Sequence, residues 1–241
     1  MKKVTALLIL TCLFFLSAPS PSLGAMTMPA FERSIEQSIG NVKDSQQLII
    51  VEGQQKNFRA VYRTYEFTNG KWVKKSVSPA VVGKNGISPY KIEGDGASPQ
   101  GLFAIGESFG YGAKPANLKV KYTRTNHYHY WVDDVQSPDY NKWVYYKGNP
   151  YTRWKSFERL NHPLYKHALI IRYNERPIKG KGSAIFIHRW RYSTVPTAGC
   201  VALSEPDLVK TLQWIDPYKN PKIIMGDQTS ILNKLNTYPT K

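Results

Sequence analysis

The chain has 241 residues, with 33 Lys and Arg against 17 Asp and Glu, a formal charge of +16 at neutral pH. That length can bury the core of one large domain or two small ones, and the charge favours anionic partners. Nothing gathers the charges into an unbroken run, and there are no repeats or low-complexity linkers. A single domain follows as the economical expectation, and no nucleic-acid partner is expected.

Lys2 and Lys3 precede an apolar run over residues 4–18, and a segment of small residues and proline follows to Gly24. This is the three-part layout of a secretory signal peptide. The run is short for a membrane span, so cleavage near Gly24 is expected rather than a retained anchor. Cys12 is a weak lipidation site, since Thr11 is a poor neighbour and too little chain precedes it. Export to the periplasm, the cell envelope or the medium is therefore expected. The mature charge becomes +14 once Lys2 and Lys3 leave. Wall polymers and transient contact with a membrane surface suit such a protein. Sixteen Tyr and a 13% aromatic content fit a β-rich exported fold or a polymer-binding cleft.

Along the mature chain, Phe31, Ile35 and Ile39 recur at helical spacing, which predicts an amphipathic helix ending near Gly40 within an N-terminal segment over 25–46. Runs at 47–52, 58–67 and 71–77 are rich in β-branched and aromatic residues. Asn69-Gly70 lies between the last two as a hairpin signal. Further strands are expected at 80–82, 101–105, 118–122, 143–146, 167–173, 184–188 and 222–225. The spacing predicts one convincing later helix, with Ser204 as its N-cap, Asp207 three residues on, an apolar face of Leu208, Leu212 and Ile215, and Pro217 beyond it. Residues 229–241 are expected as a tail that starts with a turn of helix through Ile231 and Leu235. The fold class is mainly β, a sandwich or mixed sheet with a few short helices.

Removal of the signal segment leaves Cys200 as the only cysteine, and an exported protein with one unpaired thiol is a candidate for nucleophilic chemistry. An apolar run (Ala184 to Ile187) leads directly into His188, and a small-residue turn (Thr197, Ala198, Gly199) leads directly into Cys200. A thiol is only a few per cent ionised at neutral pH, so it needs a base. An imidazole could take its proton or stand as an imidazolium beside the thiolate. Backbone N–H groups at Gly199 and Cys200 are the oxyanion-hole candidates, with Thr197 and Ser183 as loop support. The group that orients His188 is left open between a backbone carbonyl, Ser183, Tyr192 and Thr197. His127 and His129, with Asp133 and Asp134 nearby, make a poor metal signal, and neither a metal nor a cofactor is expected. The aromatic stretch 122–146 reads as a cleft wall or lid.

These segments resemble the L,D-transpeptidase catalytic domain, the YkuD-like family. The resemblance rests on Phe186-Ile187-His188, on Thr197-Ala198-Gly199-Cys200 and on the upstream Ser98-Pro99-Gln100-Gly101-Leu102-Phe103. It covers most of the mature chain, so a catalytic domain over 47–228 is expected. It implies a transpeptidase acting on peptidoglycan stem peptides through a thioester on Cys200 with His188 as base. A hydrolase using the same dyad and a non-catalytic wall-binding module are the alternatives. Better-known members carry a histidine at the position of Ala198, a glycine at Arg189 and an arginine at Ala202. Substrate contacts are therefore not carried over.

Overall fold

The computed structural model describes residues 26–238. The signal segment and Cys12 lie outside them. α1 (Met28–Ser38) leads into a meander of β1 (Gln47–Gly53), β2 (Arg59–Thr68) and β3 (Lys71–Val81). The short β4 (Ile87–Ser88) and β5 (Ser98–Pro99) precede the long β6 (Gly101–Gly110). β7 (Tyr122–Arg124), β8 (His129–Val132), β9 (Lys142–Tyr145) and β10 (Glu158–Arg159) follow. β11 (Ala168–Ile171), β12 (Phe186–Arg189) and β13 (Val201–Leu203) then lead to α2 (Glu205–Trp214), β14 (Lys222–Gly226) and α3 (Gln228–Asn236).

The fold is mainly β with a few short helices, as expected. Its main sheet is a single mixed one, in the order β11-β12-β13-β3-β2-β1-β14-β6-β7. A further pairing of β11 with β6 closes the sheet on itself as a barrel. β8, β9 and β10 form a separate small sheet.

Strand alternation explains three of the four hydrophobic cores, the fourth being Tyr130, Val132 and Trp154 of the small sheet and its neighbour. Ile49 and Val51 of β1 point into the barrel interior, which they share with Ile187, Val201, Leu203, Ile223 and Met225, and with Leu208 and Leu212 of α2. Leu48 and Ile50 point outward and are covered by Phe31 and Ile35 of α1 and by Ile231 and Leu235 of α3. The third core lies on the outer face of β11 and β12, where Phe109, Tyr165, Ala168, Ala184, Phe186 and Cys200 meet.

Local chemistry sets several boundaries. Asn69 and Gly70 both take left-handed backbone (φ 50° and 78°), which suits a tight two-residue hairpin. Ser204 caps α2 by accepting the Asp207 N–H at 3.2 Å and donating to Asp207 Oδ2 at 2.6 Å.

Three expectations are corrected. Residues 80–82 do not start a new strand, because β3 runs through to Val81. The strand expected at 118–122 begins only at Tyr122, where pairing with Ser108 becomes available. The strand expected from 184 begins at Phe186, since Ala184 takes φ 54° and cannot extend a pleated ladder. The turn of helix expected through Ile231 and Leu235 is present as α3. Asp227 caps that helix at Ser230 N–H (2.7 Å), and Ile231 and Leu235 are buried under α1.

Candidate active site

β12 and β13 run parallel, with Ile187 opposite Val201 and His188 opposite Ala202. Alternation puts Ile187 and Val201 into the barrel, and puts Phe186, His188 and Cys200 together on the outer face. His188 and Cys200 therefore stand on one surface, one strand apart and two residues along, roughly 8 Å between Cα atoms from ordinary strand spacings. The Tyr165 ring lies beside this pair, 5.3 Å from the His188 ring and 5.7 Å from Phe186.

Both groups are withdrawn from water, His188 at 4% and Cys200 at 7% exposure. His188 Nδ1 lies 2.7 Å from the Arg189 carbonyl oxygen. A carbonyl can only accept, so Nδ1 carries the proton and Nε2 is left as the basic nitrogen. This answers the question of orientation, since neither Ser183, Thr197 nor the exposed Tyr192 holds the ring. Burial pushes His188 down to about 4 and the Cys200 thiol well above its ordinary range, with the Glu158 charge adding to the latter. The resting pair is neutral imidazole and neutral thiol, not imidazolium and thiolate. The Cys200 S–H donates to the Ala184 carbonyl at 3.2 Å, and Sγ receives the Phe186 N–H at 3.4 Å.

The cysteine turn is tied down from both sides. Thr197 Oγ1 donates to the Cys200 carbonyl at 2.6 Å and accepts the Gly199 N–H at 3.1 Å. Thr197 thus supports the loop as expected from its place in the sequence, but it also engages one of the two expected oxyanion donors. Gly199 takes φ 156°, and a Cβ there would stand 3.0 Å from the Ala97 carbonyl oxygen, so the turn has little room for a larger residue.

Two residues with no assigned role in the sequence build this arrangement. The fully buried Ser98 donates to the Gly199 carbonyl at 2.6 Å and accepts the Gly83 N–H at 3.0 Å. It joins the upstream Ser-Pro-x-Gly stretch to the cysteine turn across about a hundred residues of chain. Asn141 uses its whole amide. Its Oδ1 accepts Trp131 Nε1–H at 2.8 Å and the Ala184 N–H at 3.2 Å, while Nδ2 donates to the Tyr173 and Asn174 carbonyls at 3.1 and 2.9 Å. It thereby sets the left-handed Ala184, whose carbonyl accepts the hydrogen bond of the resting thiol.

In front of the thiol lies a pocket of about 380 Å³ lined by Cys200, Gly199, Ala198, Thr197 and Ser183, and by Lys84, Lys91, Glu93, Asp133 and Glu158. His188 does not line it; its ring lies against Tyr165 of the third core. The small sheet supplies one wall through Asp133 and Glu158, but Asp133 is the one residue of the stretch 122–146 that lines this pocket, and none of the Tyr or Trp residues of that stretch does. His127 and His129 do not converge on this pocket: the former stacks on Tyr128, and His129 Nδ1 accepts Trp143 Nε1–H at 2.9 Å. Asp134 caps backbone N–H groups of Gln136 and Lys155.

A family model described as the L,D-transpeptidase catalytic domain, YkuD, matches residues 45–229. The chain belongs to this family. Its members are transpeptidase and peptidase catalytic domains that act on peptidoglycan peptides. Among solved structures the chain is similar to Bdellovibrio bacteriovorus Bd1075, with 17% identity and a TM-score of 0.40, over 80% of this chain and 53% of that one. The chain thus spans about half the length of that structure. No curated protein matches it.

Within this YkuD domain, the three positions that depart from the better-known pattern have clear environments. Arg189 donates to the Pro163 carbonyl at 3.1 Å and pairs with Glu205 at 3.1 Å, which fastens the end of the histidine strand to α2. Ala202 is fully buried between His188 and Val81, where an arginine would not fit. Ala198 is exposed at the pocket rim. Ser98→Ala is expected to cost about 1–3 kcal/mol, because a buried carbonyl and N–H lose their shared hydroxyl. Urea unfolding of the variant checks this, and an unchanged midpoint would remove Ser98 from the scaffold of the turn.

Proposed function

We propose that the chain is an exported, cysteine-dependent L,D-transpeptidase that acts on peptidoglycan stem peptides through an acyl-enzyme on Cys200. The observation that carries this reading is the fixed tautomer of His188. Its Nδ1–H is spent on the Arg189 carbonyl, so a basic Nε2 stands on the same sheet face as the chain's one described thiol.

The steps follow from the neutral resting pair. As a peptide carbonyl enters the pocket, the thiol proton passes from Sγ to His188 Nε2 and sulfur bonds to the carbonyl carbon. The Gly199 N–H already serves Thr197, which leaves the Cys200 N–H as the oxyanion donor of the pair. The carbon–nitrogen bond then breaks, and His188 returns its proton to the leaving D-alanine amine. In the second half, an acceptor amine attacks the thioester, His188 takes the amine's proton, and the thiol leaves protonated. With water in place of the amine the same sequence is hydrolysis. Thiol and imidazole each begin and end the cycle uncharged, so the dyad itself carries no net charge at rest.

The test is mass spectrometry of tetrapeptide stems incubated with the purified protein, with and without an amine acceptor. Exchange of the terminal residue for the acceptor supports transfer, and loss of one residue alone indicates hydrolysis. Cys200→Ala is expected to yield neither product, and turnover by that variant would exclude the thiol mechanism.

A further inference from the structure

The acidic residues of this basic protein are distributed in an informative way. Ten of the seventeen form ion pairs with Lys or Arg. Of the others, Asp134 and Asp227 receive backbone N–H groups at a turn and a helix end, Asp207 Oδ2 accepts the Ser204 hydroxyl at the start of α2, and Glu36 is exposed on α1. The three that remain are Glu93, Asp133 and Glu158, and all three line the pocket in front of Cys200.

Their existing partners leave charge unspent. Tyr140 O–H donates to Glu93 Oε2 at 2.6 Å, and Tyr165 O–H donates to Glu158 Oε2. Asp133 Oδ1 is buried without any hydrogen-bond partner. The nearby Lys91 does not neutralise them, since its ammonium is held by Asp95 Oδ1 at 2.6 Å and the Ile92 carbonyl at 2.7 Å. A second, uncharged group points the same way. Ser183 is 6% exposed, its Oγ has no partner, and it lines the same pocket between the acids and the cysteine turn. Buried polar atoms in native proteins are normally satisfied, so these orphans mark the place of a ligand group.

Resting on the transpeptidase reading of Cys200, we propose that Glu93, Asp133, Glu158 and Ser183 form a subsite for a primary ammonium group of the substrate peptide, next to the carbonyl that Cys200 attacks. An ammonium offers three N–H donors, which matches acceptors arrayed around a wall. Among the described residues no three His, Cys, Asp or Glu side chains stand close enough to hold a metal ion, so the acids are spread rather than converged on a point. That spacing suits a polyatomic cation. The acids also feel one another: burial first, then the charges of Asp133 and Glu93, raise Glu158 to about 7, and burial with the Glu93 charge raises Asp133. A bound cation relieves this repulsion, so it is favoured here over a neutral group of the same size.

The ammonium could belong to the side chain of the acylating peptide or to the acceptor, and the experiment separates them. Rates of Cys200 acylation are measured by intact-protein mass spectrometry with a stem tetrapeptide bearing a free side-chain amine and with its N-acetylated form. The expected result is at least a tenfold preference for the free amine, falling to about onefold in Asp133→Asn. If the preference appears instead in the capture of the acyl-enzyme by free-amine and acetylated acceptors, the subsite serves the acceptor. Calorimetric binding of both tetrapeptides to Cys200→Ala, with and without Asp133→Asn, gives a readout that needs no turnover. Amine-dependent binding without acylation of the native protein would keep the subsite and sink the transpeptidase reading. Acylation and binding that ignore the amine, with thermal melting of Asp133→Asn unchanged, would sink the subsite and leave that reading intact.

Discussion

His188→Gln is expected to lower the rate of Cys200 acylation by roughly 10²–10⁴-fold, the range for loss of a positioned general base. It is also expected to change the pH dependence of stability in a defined direction. The native imidazole is held down at about 4, below the ordinary 6.5 of the unfolded chain. A depressed group adds stability that is complete above pH 6.5 and is lost as pH falls toward 4, by about 3 kcal/mol at most for a shift of this size. Glu158 works the other way. Its folded value of about 7 stands above the ordinary 4.5, so its contribution is complete below pH 4.5 and is lost as pH rises to 7.

Between about pH 4.5 and 6.5 the two slopes oppose each other. Removing the imidazole should therefore tilt the urea midpoint toward acid: relative to the native protein, His188→Gln should gain stability as pH falls from about 6.5 to 4.5. A His188→Gln profile parallel to the native one across that window would contradict the buried neutral imidazole.

The second large effect is structural. Asn141→Leu is expected to cost roughly 4 kcal/mol, since Trp131 Nε1–H, the Ala184 N–H and the Tyr173 and Asn174 carbonyls all lose their partner together. Its left-handed backbone (φ 55°) adds to the cost, because leucine adopts that conformation less readily than asparagine. Equilibrium unfolding at pH 7 measures the loss. A change below about 1 kcal/mol would show that these groups find other partners. The damage should reach the chemistry too, because the Ala184 carbonyl accepts the hydrogen bond that holds the resting thiol.

The readable parts of this protein are those whose cause lies within a few residues. The Asn69-Gly70 turn, the Ser204 cap and the apolar face of α2 each depend on neighbours in sequence, and each could be placed from sequence. The pairing of His188 with Cys200 needed one longer step, from three motifs to a family. Ser98 opened one of those motifs without revealing its role, and Asn141 and the acids without ion pairs gave no such signal. Ser98 acts on Gly199 and Asn141 acts on Ala184, contacts that only barrel closure brings about. The orienting group of His188 was illegible for another reason, since it is a main-chain carbonyl and any residue could stand at Arg189. The helical turn through Ile231 and Leu235 could be placed as well, but not that α1 covers it, since that contact joins the two ends of the chain.

Closure of the barrel also fixes an order of events. β14, the last strand, pairs in parallel with β1, the first, and lies between it and β6. A chain made from its N-terminus can zip the meander of β1 to β3 early, but the ring stays open until residues 222–226 arrive. Such pairing between distant segments is slow, because the entropy of a long loop is lost before any contact returns it. The turn that aims the thiol is anchored to Ser98 on one side and Ala184 on the other, and both anchors sit on strands or loops braced by that ring. Cys200 therefore acquires its final surroundings only when synthesis of the domain is nearly complete, and a partly made chain carries an ordinary, unaimed thiol.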